Sequence, residues 1–193
     1  GVRFGVTLLG SRAVAGTFDA AALEAKDAAG VTLAQALREF GLDPARVGEA
    51  AKRREDVLAY AELHIEQGPV LEAEGLAVGV VTAINGFTRL AVTLQGVAGH
   101  AGTVPMHLRR DALAAAAECT LAVERIGSSE AGTVATVGRM EALPGAINVV
   151  PGEARFTVDV RAPADAQRLR AAAAIRAEIA AVCARRQVAA RIE

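Results

Sequence analysis

No run of apolar residues approaches the roughly 20 that a helix needs to cross a bilayer, so no transmembrane segment is expected. Charge of one sign is missing too. The 21 Lys and Arg are interleaved with 22 Asp and Glu for a net charge of −1, which provides no broad electrostatic footprint for nucleic acid or an anionic membrane. Small-molecule or protein partners are expected instead. Cysteine occurs only as Cys119 and Cys183, with no CxxC spacing. Both fall in alanine-rich, helix-like stretches and read as buried free thiols, which points to a reducing cytoplasm. A Walker loop and a GxSxG elbow are also absent. The start at Gly1 shows neither a basic segment nor an apolar one of the secretory kind, and reads as a processed terminus or as part of a longer chain.

What is present suffices for a core: 193 residues, 52% of them hydrophobic, a total inflated by alanine. One domain or two small ones are expected. In the first half, residues 4–9 read as a strand end or loop, while 19–29 and 33–40 have helical composition, the second closed by Gly41 before the turn signal Asp43-Pro44. Residues 57–65 (VLAYAELHI) predict a strand ending at Gln67-Gly68-Pro69, followed by a short helix over 70–74 and a strand over 78–84. The turn dipeptide Asn85-Gly86 then marks a domain boundary.

Beyond Gly86 the order is strand (88–97), helix (111–126), strand (133–139), strand (153–161), helix (165–185), strand (187–192). The second helix carries Leu169, Ala172, Ile175, Ile179 and Val182 as its apolar stripe. This is the βαββαβ order of a ferredoxin-like sandwich, a four-stranded antiparallel sheet with both helices on one face. The fold class is therefore α/β, and the topology alone implies no function.

Three histidines can be weighed singly. In ELHIEQG, strand periodicity sets Glu62, His64 and Glu66 on one face, where they suit either a metal or a hydrogen-bonded buried imidazole. His100, in GHAGTVPM, follows a strand end in a loop tightened by glycines and a proline, a setting that presents a ring to a ligand or merely makes a turn. His107, among Leu108, Arg109 and Arg110, reads as a solvated loop residue. Asn148 lies in GAINVVPG, and Arg161 ends the strand VDVR, where it can clamp a carboxylate or pair with Asp159.

Together, ELHIEQGPVLE (62–72), GHAGTVPM (99–106) with RRDAL (109–113), INVVPG (147–152) and the strand ending at Arg161 resemble the hydantoinase/carbamoylase family of metal-dependent amidohydrolases. The opening GVRFGVTLLGSRAVAG is similar to the segment after that family's Glu-Glu-Gly signature. The resemblance implies a partial zinc-peptidase-like catalytic domain segment over 1–86 and a ferredoxin-like lid and dimerisation domain over 87–193. It makes His64 a metal ligand, Gln67 an active-site neighbour, and His100, Asn148 and Arg161 substrate-binding groups. Arg161 would grip the substrate carboxylate, and His100 would act catalytically by polarising the amide or carbamoyl oxygen. Two divalent metal ions per complete site are implied, zinc first, with manganese, cobalt or nickel as alternatives, and the partners are a carboxylate-bearing small molecule and a second copy of the chain. The family's remaining ligands and its general-base glutamate have no counterpart here. The implied reaction is hydrolysis of a linear carbamoyl or ureido amide with release of ammonia, N-carbamoyl-L-amino acids and allantoate remaining open as substrates. A non-catalytic dimerisation or small-molecule-binding module, and an aminoacylase or dipeptidase of the wider superfamily, are the alternatives.

Overall fold

A computed structural model describes residues 2–193 and divides the chain into two compact units, Gly1–Gly75 and Leu76–Glu193. The first unit is made of short helical pieces: α1 (Leu9–Val14), α2 (Leu33–Glu39) and α3 (Val70–Ala73), with 3-10 turns at Ala20–Glu24, Pro44–Ala50 and Arg54–Asp56. Side-chain caps begin several of them. Asp19 accepts from the Ala21 N–H at 2.9 Å, Thr32 from Gln35 at 3.0 Å and Asp43 from Ala45 at 2.9 Å, satisfying donors that a helix start leaves open. Few side chains here are buried, Ala13, Leu33, Ala34 and Pro44 among them.

Three sequence expectations fail in this unit and just beyond it. The helix over 19–29 shrinks to the Ala20–Glu24 turn. Asp27 explains why: its carboxylate accepts from the N–H groups of Ala29 and Val31, each at 2.9 Å, and this local turn competes with continued helix. The Arg3 guanidinium, 2.9 Å away, holds the Asp27 carboxyl below the usual carboxylate range. Residues 57–65 and 78–84 have no regular structure and are not strands, with a bend at Leu58. A strand exists by pairing, and among the described residues nothing pairs with either segment, so Leu58, Leu63, Ile65, Val80 and Ile84 stand exposed. Residues 4–9, read as a strand end or loop, are by contrast mostly turn and loop, from Gly5 to Leu8, between a 3-10 turn and α1.

The second unit holds β1 (Gly86–Gln95), β2 (Gly99–His100), α4 (Ala112–Gly127), β3 (Val134–Leu143), β4 (Val149–Val150), β5 (Glu153–Ala162), α5 (Asp165–Arg186) and β6 (Ala189–Ile192). The main sheet runs β3-β5-β1-β6 with every neighbour antiparallel, which is the strand order of a ferredoxin-like sandwich. Alternation makes one face apolar: Leu90, Val92 and Leu94 of β1 and Ala154, Phe156, Val158 and Val160 of β5 are buried against Ala115, Cys119 and Val123 of α4 and Ile175, Ile179 and Val182 of α5. Burying a side chain of this size contributes about 1.5–3 kcal/mol as an upper estimate. β3 reaches Leu143, further than its apolar pattern predicts, because a register shift between Val137 and Arg139 carries the pairing past Gly138. On α5, Leu169 is exposed rather than part of the stripe. It lies six residues from Ile175, about 120° off that face at 100° per residue, whereas Ala171 and Ala172 fall on it and are buried.

Ion pairs set the register of the two helices. Arg185 and Arg186 both reach the Glu118 carboxylate, and Arg125 lies 3.5 Å from Glu178. An antiparallel pair in that register faces Cys119 toward Cys183, both buried as free thiols. Asp111 starts α4 by accepting from the Ala114 N–H at 3.0 Å.

Candidate functional site

His100 is placed by a small ladder outside the main sheet. β2 pairs with β4 so that Gly99 lies opposite Val150 and His100 opposite Val149, and the Ala101 N–H donates to the Asn148 carbonyl at 2.9 Å. Two loops that the sequence keeps apart, GHAGTVPM and INVVPG, thus become one feature, with His100 on one segment and Asn148, one residue before Val149, on the other. Close backbone approach makes this possible. A Cβ at Gly96 would sit 2.0 Å from the Arg110 carbonyl oxygen, and one at Gly99 would sit 2.7 Å from Cγ2 of Val104. Further bonds join the strand ends to this feature: Gly96 N–H to the Gly152 carbonyl at 2.8 Å, Val97 N–H to Arg110 at 2.9 Å, and Ala112 N–H to Pro151 at 3.1 Å.

The ring of His100 is oriented as well as located. The Gly102 N–H donates to its Nδ1 at 3.1 Å, so the neutral imidazole carries its proton on Nε2. His100 and Asn148 are both exposed. The site therefore offers an exposed ring with a free N–H donor, a group able to bind a carbonyl oxygen and stabilise charge that develops on it. His107 lies in the 3-10 turn Met106–Leu108 and is exposed.

Arg161 is elsewhere. It sits near the end of β5, opposite Phe87 of β1 and Val134 of β3, on the open face of the sheet. Its Nε and Nη2 donate to the two carboxylate oxygens of Asp159 at 3.0 and 3.1 Å. Arg89, whose guanidinium lies 4.7 Å from the Phe87 ring centre, adds a bond to Asp159 at 3.3 Å. Chiefly through the Arg161 bond, the Asp159 carboxyl is held below the ordinary carboxylate range and the Arg161 guanidinium above its own. Arg89, Asp159 and Arg161 help line a shallow depression of about 960 Å³ together with Thr136, Gly138 and Thr157. From Glu153 to Arg161 the strand rises roughly 3.3 Å per residue, about 26 Å in all, so within one chain Arg161 stands far from the His100 and Asn148 loops.

His64 and Gln67 belong to the exposed stretch before α3. The grouping of Glu62, His64 and Glu66 on one strand face does not form, since there is no strand. Glu62 accepts from the Tyr60 hydroxyl at 2.7 Å, and Glu66 accepts from the N–H groups of Val70 and Leu71 at the start of α3. Nδ1 of His64 lies 2.5 Å from the Ile65 carbonyl oxygen, so the ring donates there and leaves Nε2 with an outward lone pair. Metal-ligating histidines commonly use their second nitrogen this way. Gln67 adopts a left-handed conformation (φ +57°) at the turn into Gly68-Pro69. Among the described residues no group of three or more His, Cys, Asp or Glu side chains gathers to hold a metal. The donors among the described residues do not amount to a two-metal centre.

Sequence reasoning gave Arg109 no role beyond its place in the RRDAL motif. The half-buried guanidinium donates to the Val104 carbonyl at 3.0 Å and the Ala101 carbonyl at 2.6 Å, inside the His100 loop. Its position in RRDAL, two residues after GHAGTVPM, was the available signal.

Residues 82–187 match the family model described as a peptidase dimerisation domain. An N-carbamoyl-L-amino acid amidohydrolase of Geobacillus stearothermophilus is 48% identical over 161 residues, covering 83% of this chain and 39% of that protein. Allantoate deiminase 1 of Glycine max is 38% identical over 214 residues, covering 100% of this chain and 44% of that protein. Among solved structures, a hydantoinase/carbamoylase family amidase from Burkholderia multivorans matches with a TM-score of 0.87 at 38% identity, covering 99% of this chain and 46% of that one. The chain belongs to the hydantoinase/carbamoylase family of amidases and includes its dimerisation domain. It spans less than half the length of these relatives. No helix among the described residues is long and apolar enough to cross a membrane.

Proposed function

We propose that these residues form part of an amidohydrolase that cleaves linear carbamoyl or ureido amides carrying a carboxylate, such as N-carbamoyl-L-amino acids or allantoate, and releases ammonia. The observation that carries the reading is the exposed His100 ring on the β2 and β4 ladder, with Nδ1 occupied by the Gly102 N–H and the proton on Nε2. In this reading His100 donates to the carbamoyl or amide oxygen as negative charge grows there, and Asn148 orients the same group. Arg161 receives the carboxylate. Asp159 occupies its Nε and Nη2 edge, which leaves the end of the fork bearing Nη1 for a ligand. Residues 1–86 are a segment of the catalytic domain and 87–193 the lid and dimerisation domain. His64 supplies one ligand and Gln67 lies beside it. The complete site takes two divalent ions, zinc first. With one ligand position available here, no step is drawn through them.

Two features support the division of labour. The exposed apolar segments 57–65 and 78–84 have the pattern of strands lacking a sheet, as expected of pieces whose neighbours lie in another stretch of a catalytic domain. The distance of Arg161 from His100 favours a site composed from two copies. β3 offers a ten-residue edge for such a pair, against four residues in β6, and exposed Leu121, Val134 and Met140 lie on it or on the neighbouring α4.

The reading is tested by exchanging the matching segment of the Geobacillus stearothermophilus amidohydrolase for this one and assaying ammonia release from N-carbamoyl-L-amino acids and allantoate. Turnover that is lost in His100→Asn and falls at least tenfold in Arg161→Ala is expected, since a charged hydrogen bond contributes about 1.5–3 kcal/mol. Preference for N-acyl amino acids or dipeptides would favour the aminoacylase alternative. A folded, dimeric chimera without turnover would favour a binding or dimerisation module.

A further inference from the structure

Arg109 engages two backbone carbonyls of the His100 loop. One of these is decisive. The Ala101 carbonyl that accepts from Arg109 Nη2 and the Gly102 N–H that donates to His100 Nδ1 belong to the same peptide group. A peptide unit is planar and trans, so its C=O and N–H point in opposite directions and move together. Fixing the carbonyl fixes the N–H. Polarisation runs the same way, because a cation on the carbonyl oxygen strengthens the donor at the nitrogen.

We propose that Arg109 is a positioning residue for His100, acting through the Ala101–Gly102 peptide to keep the Nδ1 lone pair engaged and the Nε2 proton turned outward. Its Nε bond to the Val104 carbonyl at 3.0 Å anchors the far side of the turn. Within that turn the N–H groups of Thr103 and Val104 both reach the His100 carbonyl, at 3.2 and 3.1 Å. The guanidinium thus spans the turn from Ala101 to Val104. A lysine, a point charge without a fixed fork, cannot hold both carbonyls in this geometry. The proposal rests on the reading of His100 as the substrate-facing donor, but its test does not depend on turnover.

The test uses the full chain, labelled with nitrogen-15. Long-range proton–nitrogen correlation spectra of the imidazole report which ring nitrogen of His100 is protonated, and amide exchange reports on Gly102. The wild type is expected to show the Nε2–H tautomer and a protected Gly102 amide. Arg109→Met keeps the apolar stem and removes the donors. It should speed Gly102 exchange by roughly tenfold or more, given the strength of a charged hydrogen bond, and bring His100 into exchange between tautomers. Arg109→Lys should fall between. If Arg109→Met stays folded, judged by retained protection of β1 and β5, and leaves both signals unchanged, the proposal is overturned. Should Arg109→Met fail to fold, the wild-type Arg109 Nε–H decides: exchange as fast as that of a solvated arginine overturns the proposal, and protection supports it. Full turnover by His100→Asn in the exchanged-segment enzyme would remove the functional reading while leaving the Arg109 result intact, so the two failures are distinguishable.

Discussion

The two units answer the same composition differently. From Leu76 onward an antiparallel sheet and two helices enclose a continuous core, whereas the first unit is a set of capped turns and short helices that buries little and leads into exposed apolar segments. The contrast teaches that apolar patterning predicts a strand only where the partner strand is also present. VLAYAELHI is as apolar as β1 or β5, yet β1 pairs with both β5 and β6 and 57–65 pairs with nothing among the described residues. The largest test of the comparison is therefore amide hydrogen exchange. Amides in the middle of β1 and β5 should be protected by several orders of magnitude, and those of 57–65 should exchange near the rate of an unstructured chain. Protection of 57–65 in the isolated chain would break the contrast by revealing a pairing partner.

The second unit was legible because each of its elements is locally self-consistent. Period-two burial in β5, Asp111 ahead of α4 and the spacing of Ile175, Ile179 and Val182 all agree with the final topology. Errors arose where a side chain satisfied backbone groups in a way that spacing does not reveal. Asp27 stops a helix and Glu66 caps one, although both sit in patterns that read otherwise. At the candidate site, the residue types were legible and their juxtaposition was not. That the loops carrying His100 and Asn148 come together depends on the β2 and β4 ladder, and that Arg161 lies apart depends on strand direction. Arg109 escaped notice because its partners are carbonyls, which no sequence pattern displays.

Truncations sharpen the same contrast energetically. Leu94 is 0% exposed and Leu58 is 104% exposed. Leu94→Ala should lower stability by about 2–5 kcal/mol through lost transfer energy and the cavity left behind, while Leu58→Ala should stay within about 0.5 kcal/mol. Denaturant unfolding followed by circular dichroism checks both. A comparable loss from Leu58→Ala would mean that the exposed segment is packed in solution.

The thiols probe the core without altering it. Burial, with a smaller contribution from the neighbouring Cys183, pushes the Cys119 thiol up to about 12, so at neutral pH almost no thiolate is available to attack a disulfide reagent. Both cysteines should remain unreactive toward such a reagent in the native chain and react together once denaturant exposes them. Fast labelling at pH 8 without denaturant would indicate that the α4 and α5 pair opens readily.

The smallest expected effect separates an electrostatic contribution from the apolar ones. Asp159 has its folded-state pKa lowered, first by the hydrogen bonds from Arg161 and then by Arg89, against partial desolvation. A carboxylate whose pKa is depressed on folding adds stability that is complete above its unfolded value, 3.8, and is lost as pH falls through the lower folded value. The pair is substantially exposed, with Arg161 at 51% and Asp159 at 29%, so solvent screens it and the gain is small. Asp159→Asn should therefore lower the thermal midpoint at pH 7 by much less than Leu94→Ala does. The gap between wild type and Asp159→Asn should stay constant down to about pH 5 and close below pH 3.8, where the wild-type carboxylate takes up its proton. Other carboxylates titrate in both proteins and cancel in the difference. A gap that persists in acid would mean that Asp159 acts by shape or by neutral hydrogen bonding, and that Arg161 owes its orientation on the sheet to something other than this ion pair.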